Sequence, residues 1–468
     1  MLNASITAFG DVWFDQWLVI RGEGLRVILD MALRSIQHQE ERRRVRKRRA
    51  TDQRTLEAMV ETVIANLARA VLTQPDAPSV AVALTKSKTL TRYDRHIFRQ
   101  LRDVLTKLQR EGFLHLTIPA GRGFTSTMSP HPWFLSKMRE NRVTIADLGQ
   151  HPDEETIWLA KSEWGFGDQS GTFAKRRKLI DYTSDTRDSH HFREEMRTIN
   201  RHLEAARIGM AAKYDDPMPD LSRYALRRNF TLPTDASAKK PRFDLGGRLF
   251  GGWWQNLPKA DRHMIRIDGE PIADLDFASM FPRLAFIAVG LEPPEGDIYA
   301  IPGLEGYRGG VKALISALLF AEGERQRLPS EIKSQLPPGM TVADVRKLVL
   351  QRHPSMAAIL EKGLGLRLMF AESKIMVATL LDLNSQGITA LAMHDGLMVA
   401  RSRAEQARVA MQRAAKAVTG HALPVEVKGT AEERAGEGEI TYPAPLQGQP
   451  KPTPQVVNPY VGQVSHSP

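Results

Sequence analysis

Apolar residues recur with two different periods along the chain, and the changes of period mark out its elements. Between Thr55 and Leu72, the residues Leu56, Met59, Val60, Val63, Ile64 and Leu67 fall at helical spacing. Ile97, Phe98, Leu101, Val104, Leu105 and Leu108 do the same between Asp94 and Gln109, and Gly112 ends that run. Residues 1 to about 38, with Trp13, Phe14, Trp17, Leu18 and Ile20, also read as helical. The segments FLHLTIP and FTSTM, either side of Ala120-Gly121-Arg122-Gly123, read as strands of a hairpin with a basic tip. Residues 136 to about 215 are rich in charge and read as mixed helical, until Asp215-Asp216-Pro217-Met218-Pro219 breaks them.

Three apolar stretches dominate the second half. Pro271 to Gly290 reads as a buried strand, Ile272 to Phe277, running into an apolar helix, with Asp276 where the strand ends. In Arg308 to Gly323, Val311, Leu314, Ile315, Leu318 and Leu319 make one apolar helix face. Arg308, Lys312, Ser316 and Phe320 lie four apart and form a row on the adjoining face. In Gly387 to Ala400, two apolar segments flank Asp395-Gly396, a strong hairpin-turn signal. Glu372 to Asp382 reads as one more helix, behind that hairpin.

Each feature has a plain structural reading. Asp276 suits a helix N-cap, Arg308 and Lys312 suit a solvated helix face, and Asp395-Gly396 suits an ordinary hairpin. Composition shifts the balance. The 468 residues suffice for two to three domains, and 65 Lys and Arg against 54 Asp and Glu give a net charge of +11. That surplus fits a polyanionic partner, most often nucleic acid. The absence of cysteine excludes disulfides, thiolate catalysis and Cys-based zinc sites. No apolar run approaches the roughly 18 to 20 residues of a membrane span, and the start of the chain lacks a signal layout, so a cytoplasmic protein is expected. His190, His191 and His202 lack the companions of a metal motif and read as surface residues. The basic run Arg42 to Arg49 reads equally as a solvated arm and as a phosphate contact.

The first helices with their basic hairpin resemble a winged helix-turn-helix, which implies DNA contact through a helix and through the wing at Arg122 or, as the alternative, a protein-interaction module. The three later stretches resemble motifs A, B and C of the right-hand nucleic-acid polymerases, in the correct order. His394-Asp395 matches the His-Asp pair of motif C in family A DNA polymerases and single-subunit RNA polymerases. Arg308, Lys312 and Phe320 match motif B, with Ala321 where a glycine is usual. Gly247-Arg248-Leu249 and Gln255-Asn256-Leu257-Pro258 look like the family A signatures that precede motif A, whereas Asp276-Phe-Ala-Ser-Met-Phe-Pro looks like family B. The resemblance covers about Gly246 to Ala400, some third of the chain.

The resemblance implies an α+β protein with a polymerase palm and fingers. Asp276 and Asp395 would hold two Mg²⁺ or Mn²⁺ ions, because nucleotidyl transfer needs paired ions roughly 3.5 to 4 Å apart on hard oxygen ligands. Arg308 and Lys312 would neutralise the triphosphate, Lys312 would protonate the departing pyrophosphate, and Ser316 and Phe320 would face the base. Phe281 stands where family A has Glu and family B has Tyr, and its ring would exclude a 2′-hydroxyl. Arg248, Gln255, Asn256 and His394 would contact the primer–template duplex, and Glu372 is a candidate accessory acid. The expected organisation is a helical segment with a basic arm (1–50), a winged-helix-like region (51–135), a basic helical thumb-like region (136–245), palm and fingers (246–430) and a Pro-rich tail (431–468). The expected activity is template-directed DNA synthesis from deoxynucleoside triphosphates, without proofreading. The alternatives are a single-subunit RNA polymerase or primase-like enzyme, and an inactive DNA-binding initiator or regulator.

Overall fold

The structure, a computed structural model, describes residues 12–41, 48–74, 76–84, 90–95, 97–119, 125–166, 173–212, 219–428 and 439–441. Arg122, residues 42–47 of the basic run and the tail from 442 onward lie outside the described residues. The protein is a mixed α and β structure, and no helix among the described residues is long and apolar enough to cross a membrane.

The N-terminal elements are β1 (Val12–Trp13), β2 (Leu18–Ile20), α1 (Glu23–Glu41), α2 (Ala50–Thr73), β3 (Val80–Val82), α3 (Leu101–Arg110), β4 (Leu114–Thr117), β5 (Ser126–Pro130), α4 (Pro132–Glu140) and β6 (Leu148–Gln150). One core holds them: Leu25, Ile28 and Ile36 of α1 meet Leu56, Val60, Val63 and Leu67 of α2, with Leu105, Leu108, Met128 and Phe134. β4 and β5 form the antiparallel hairpin that their sequences predict. Residues 12–20, expected as helix, form strands instead. Val12 pairs with Val80, and Leu18 to Ile20 pairs with Leu148 to Gln150. Their partners lie far along the chain, so local periodicity could not show them. Asp94, Arg95 and Ile97 precede α3 and are not helical either.

The remainder comprises β7 (Ile157–Phe166), β8 (Phe173–Leu179), α5 (Arg187–Ala205), β9 (Ile208–Ala212), β10 (Arg227–Thr231), β11 (Gly246–Phe250), β12 (Ile265–Ile267), β13 (Glu270–Phe277), α6 (Met280–Ala288), α7 (Arg308–Phe320), α8 (Ser330–Lys333), α9 (Val342–Arg352), α10 (Gly365–Ser385), β14 (Ala390–Met393), β15 (Gly396–Ala400), α11 (Ala404–Thr419), β16 (Val425–Lys428) and β17 (Glu439–Thr441). The stretch 136–215 is therefore not mainly helical. Its basic run Lys175 to Lys178 lies on β8, paired antiparallel with β7.

Two sheets frame this half. One is ordered β11-β10-β7-β8, and the other is β14-β15-β13-β12-β9-β17, with β16 also pairing β13. α10 lies behind both, its Glu372, Ser373, Met376 and Leu380 buried, and packs on α11 and β11. Arg228 of β10, 1% exposed, pins the first of these sheets to that helix and to α5. It donates to Glu195 of α5 at 2.9 Å, to Ser373 of α10 at 3.1 Å and to the Gly247 carbonyl at 3.3 Å.

Candidate active site

β13 alternates cleanly. Ala273, Leu275 and Phe277 are buried, while Asp274 and Asp276 share the other, half-buried face. β15 runs antiparallel along one flank with Gly396 opposite Asp276, and β16 along the other with Lys428 opposite Asp274. Asp276 does not cap α6. The N-cap is Ser279, left-handed at φ 51°, with no side-chain cap bond.

The β14–β15 hairpin turns on His394 and Asp395, not on Asp395-Gly396. His394 takes the positive φ of 52°, and Gly396 is already a strand residue opposite Met393. The reason is a close approach. A Cβ on Gly396 would lie 2.4 Å from the Leu275 carbonyl oxygen and 2.9 Å from Asp276 Oδ1. With glycine there, the Phe277 amide donates to the Asp395 carbonyl at 3.2 Å, which fastens the two acid-bearing segments together.

Electrostatics show that these carboxylates feel each other. Burial and then the charge of Asp276 push the Asp395 carboxyl above its ordinary range, against the pull of Lys312 and Arg248. Burial also raises Asp274, and Asp276 adds to it. Lys428 donates to Asp276 Oδ2. Burial opposes its charge, yet that hydrogen bond and the charges of Asp276, Asp274 and Asp395 hold its ammonium above the ordinary lysine range.

Behind the acids, Glu372 is fully buried. Burial pushes its carboxyl up to about 7, and Asp395 and Asp276 reinforce this against the Arg248 guanidinium. Arg248 donates to both of its oxygens, Nε to Oε1 at 3.0 Å and Nη2 to Oε2 at 2.7 Å. The guanidinium of Arg248 lies 5.2 Å from the centre of the Phe281 ring, which stacks on Phe320 at 6.0 Å and 23°. Phe320 in turn lies on the bare backbone of Gly365, where a Cβ would come within 2.2 Å of its ring.

α7 presents its polar row as its spacing predicts. Val311, Leu314, Ile315, Leu318 and Leu319 are buried, Arg308, Lys312 and Phe320 are exposed, and Ser316 is half-buried. Tyr299, 3% exposed, lies under both cations, 5.4 Å from Arg308 and 5.9 Å from Lys312. Burial raises its phenol above the ordinary tyrosine range, and the charge of Asp395 adds to that. Asp297 holds Arg308 through Nε at 2.5 Å and Nη2 at 3.1 Å. Arg283 fixes the loop carrying Asp297 and Tyr299 by donating to the carbonyls of Ala278, Pro294 and Gly296 at 2.8 to 3.0 Å.

Asp276, Asp395, Lys312, Arg308, Phe281, Phe320, Arg248 and His394 thus form one neighbourhood. Burial, Arg248 and Arg262 hold the His394 imidazole below the usual histidine range, and its ring lies 5.7 Å from Phe250. Gln255 is used internally. Its amide donates to the carbonyls of Ala392 at 3.0 Å and Leu249 at 3.2 Å, tying the hairpin to β11, while Asn256 is exposed. Lys428, Asp297, Tyr299 and Asp274 were not foreseen as site residues. Asp274 alone left a readable signal, two positions before Asp276 on the same strand face.

The acids suit a hard divalent cation by the chemistry of their oxygen donors. The charge of Asp276 raises the Asp395 carboxyl, and a lysine ammonium occupies the place beside Asp276 where a cation is electrostatically favoured. Among the described residues no group of three or more His, Asp and Glu side chains is placed to hold a metal, so such an ion would rest on this pair. No protein-family model matches the chain, and no relative is found among the curated proteins.

Proposed function

We propose that this chain is a template-directed DNA polymerase of the right-hand type, with β13 and the β14–β15 hairpin as its palm and α7 in its fingers. The observation that carries the reading is the pairing of β13 with β15, which sets Asp276 beside the turn bearing Asp395. The neighbouring cationic row of α7 supports it, since the charge of Lys312 acts on Asp395.

Asp276 and Asp395 would hold two Mg²⁺ or Mn²⁺ ions, which supply Lewis-acid activation of the primer 3′ oxygen and of the leaving pyrophosphate. Arg308, steadied by Asp297, and Lys312 neutralise the triphosphate, and Lys312 gives a proton to the pyrophosphate as it departs. Phe281 lies under the sugar and Phe320 beside the base. His394 and Arg248 meet the primer end, with Glu372 orienting Arg248.

One observation favours a second reading, a DNA-binding protein without catalysis: Lys428 already neutralises Asp276. Primer extension separates the two. Wild type should extend a primer with Mg²⁺, and Asp276→Ala and Asp395→Asn should abolish extension while leaving DNA affinity within about twofold, because phosphate contacts dominate affinity. Extension by Asp395→Asn at the wild-type rate would remove the catalytic assignment.

A further inference from the structure

We propose that a second cleft, opening where β11 ends, binds a segment of single-stranded DNA. The cavity is about 830 Å³ and lies between the segment after β6, helix α5 and the start of β10. α5 lines it with Arg193, Arg197 and Arg201, one per turn and spanning about 12 Å. Arg92, Arg223 and Arg227 line it from other elements.

The acids of this cleft are largely paired. Glu155 and Asp185 bind Arg193 at 3.0 and 3.1 Å, and both also pair with Arg92. Glu204 pairs with Arg21 and accepts from the Tyr224 hydroxyl at 3.1 Å. Burial and then Asp15 raise the Glu154 carboxyl to about 7 against the charges of Arg223 and Arg227, so at neutral pH it carries only part of its charge. Two cations are left over. Arg201 is exposed, and neither it nor Arg227 forms an ion pair among the described residues. The Nε of Arg227 is buried without a hydrogen-bond partner, so this guanidinium keeps donor capacity that no protein acceptor uses.

The lining of this cleft favours a strand over a free nucleotide. The Arg227 guanidinium lies 4.1 Å from the centre of the Trp158 ring, so a planar cation backed by an aromatic forms part of the wall, a surface on which unpaired bases stack. One strand pair links the wall of this cleft to the acid site by packing. Arg227 stands opposite Phe250 in the β10–β11 register, and Phe250 lies against His394. Identifying the strand as template rests on the polymerase reading; the binding itself requires neither Asp276 nor Asp395.

Fluorescence anisotropy of a labelled oligothymidylate, titrated with the full chain over a series of salt concentrations, tests the assignment. Arg201→Glu and Arg227→Gln should each weaken binding about tenfold, as removal of a phosphate or stacking partner does, and the salt slope should fall by about 0.7 for each phosphate no longer neutralised. Arg201→Glu alters an exposed residue and should leave the thermal midpoint unchanged. Asp276→Asn should bind as wild type does. Wild-type affinity in Arg201→Glu, or displacement of the strand by deoxynucleoside triphosphate, overturns the proposal. A wild type that binds the strand but never extends a primer sinks the polymerase reading and leaves the cleft standing.

Discussion

Gly396 faces Asp276 across the β13–β15 pair so closely that a Cβ would sit 2.9 Å from the aspartate Oδ1 and 2.4 Å from the Leu275 carbonyl oxygen. The backbone oxygen cannot swing aside as a side chain can, so Gly396→Ala must part the strands. The expected cost is about 1–3 kcal/mol, the usual range for overpacking a well-fitted interior. Urea unfolding should show the lower midpoint, and primer extension should fall further than stability does, because Asp395 moves with the strand. An alanine variant with both properties intact would mean that the two strands do not approach this closely in solution.

Lys428 and Asp276 form a pair in which the lysine stands where a cation would. With a folded pKa above the ordinary 10.5, its contribution to stability is complete below that pH and is lost as pH rises from there through the folded value. Lys428→Met should lower stability at neutral pH by leaving Asp276 and Asp395 uncompensated. It should also enlarge the rise in thermal midpoint produced by MgCl₂, because the ion no longer competes with an ammonium. Asp276→Asn should abolish that rise. Equal Mg²⁺ shifts in all three proteins would rule out this pair as the cation site.

Glu372 makes stability depend on pH in the opposite sense from most carboxylates. Burial raises it from 4.5 in the unfolded chain to about 7 in the folded one. Between those values the folded state retains a proton that the unfolded state has lost, so this group's contribution falls as pH climbs through the window. Glu372→Gln should flatten that segment of the profile, measured as urea midpoints from about pH 4 to about pH 8, which brackets both protonation states. It also leaves Arg248 with a neutral acceptor, so primer extension should lose its dependence on the same window. A variant with the wild-type slope would assign the titration to another group.

Much of this site is legible in the sequence, for a physical reason. α7 and β13 each display a periodic face, and Asp276, Arg308 and Lys312 interrupt or border those faces at positions where packing gives them no purpose. Asp395-Gly396 places the turn one residue too late, because Asp-Gly is a strong local turn signal while the true demand on Gly396 comes from a strand more than a hundred residues away. Lys428 was missed for the same reason. Nothing in Val425-Glu-Val-Lys428 announces that β16 will lie alongside β13. The strands at residues 12–20 likewise depend on partners at 80–81 and 148–150, so their helical reading failed where pairing is long in range.

Phe281 tests the proposed sugar contact. Its ring is fixed from two sides, stacked on Phe320 at 6.0 Å and lying under the Arg248 guanidinium at 5.2 Å, so it cannot rotate freely out of the way. On the polymerase reading, a rigid ring there would exclude a 2′-hydroxyl by contact alone. Phe281→Ala opens that volume and should reduce the preference for deoxynucleotides over ribonucleotides by about ten- to a hundredfold, within the range that a shape-based pocket supplies. Phe281→Leu keeps much of the packing and should lie between the two, which separates selectivity from any loss of folding. Single-turnover incorporation of matched deoxy and ribo precursors gives the ratio directly. An unchanged ratio in both variants would move sugar discrimination away from this residue, and equal use of both precursors by the wild type would favour an RNA-synthesising enzyme.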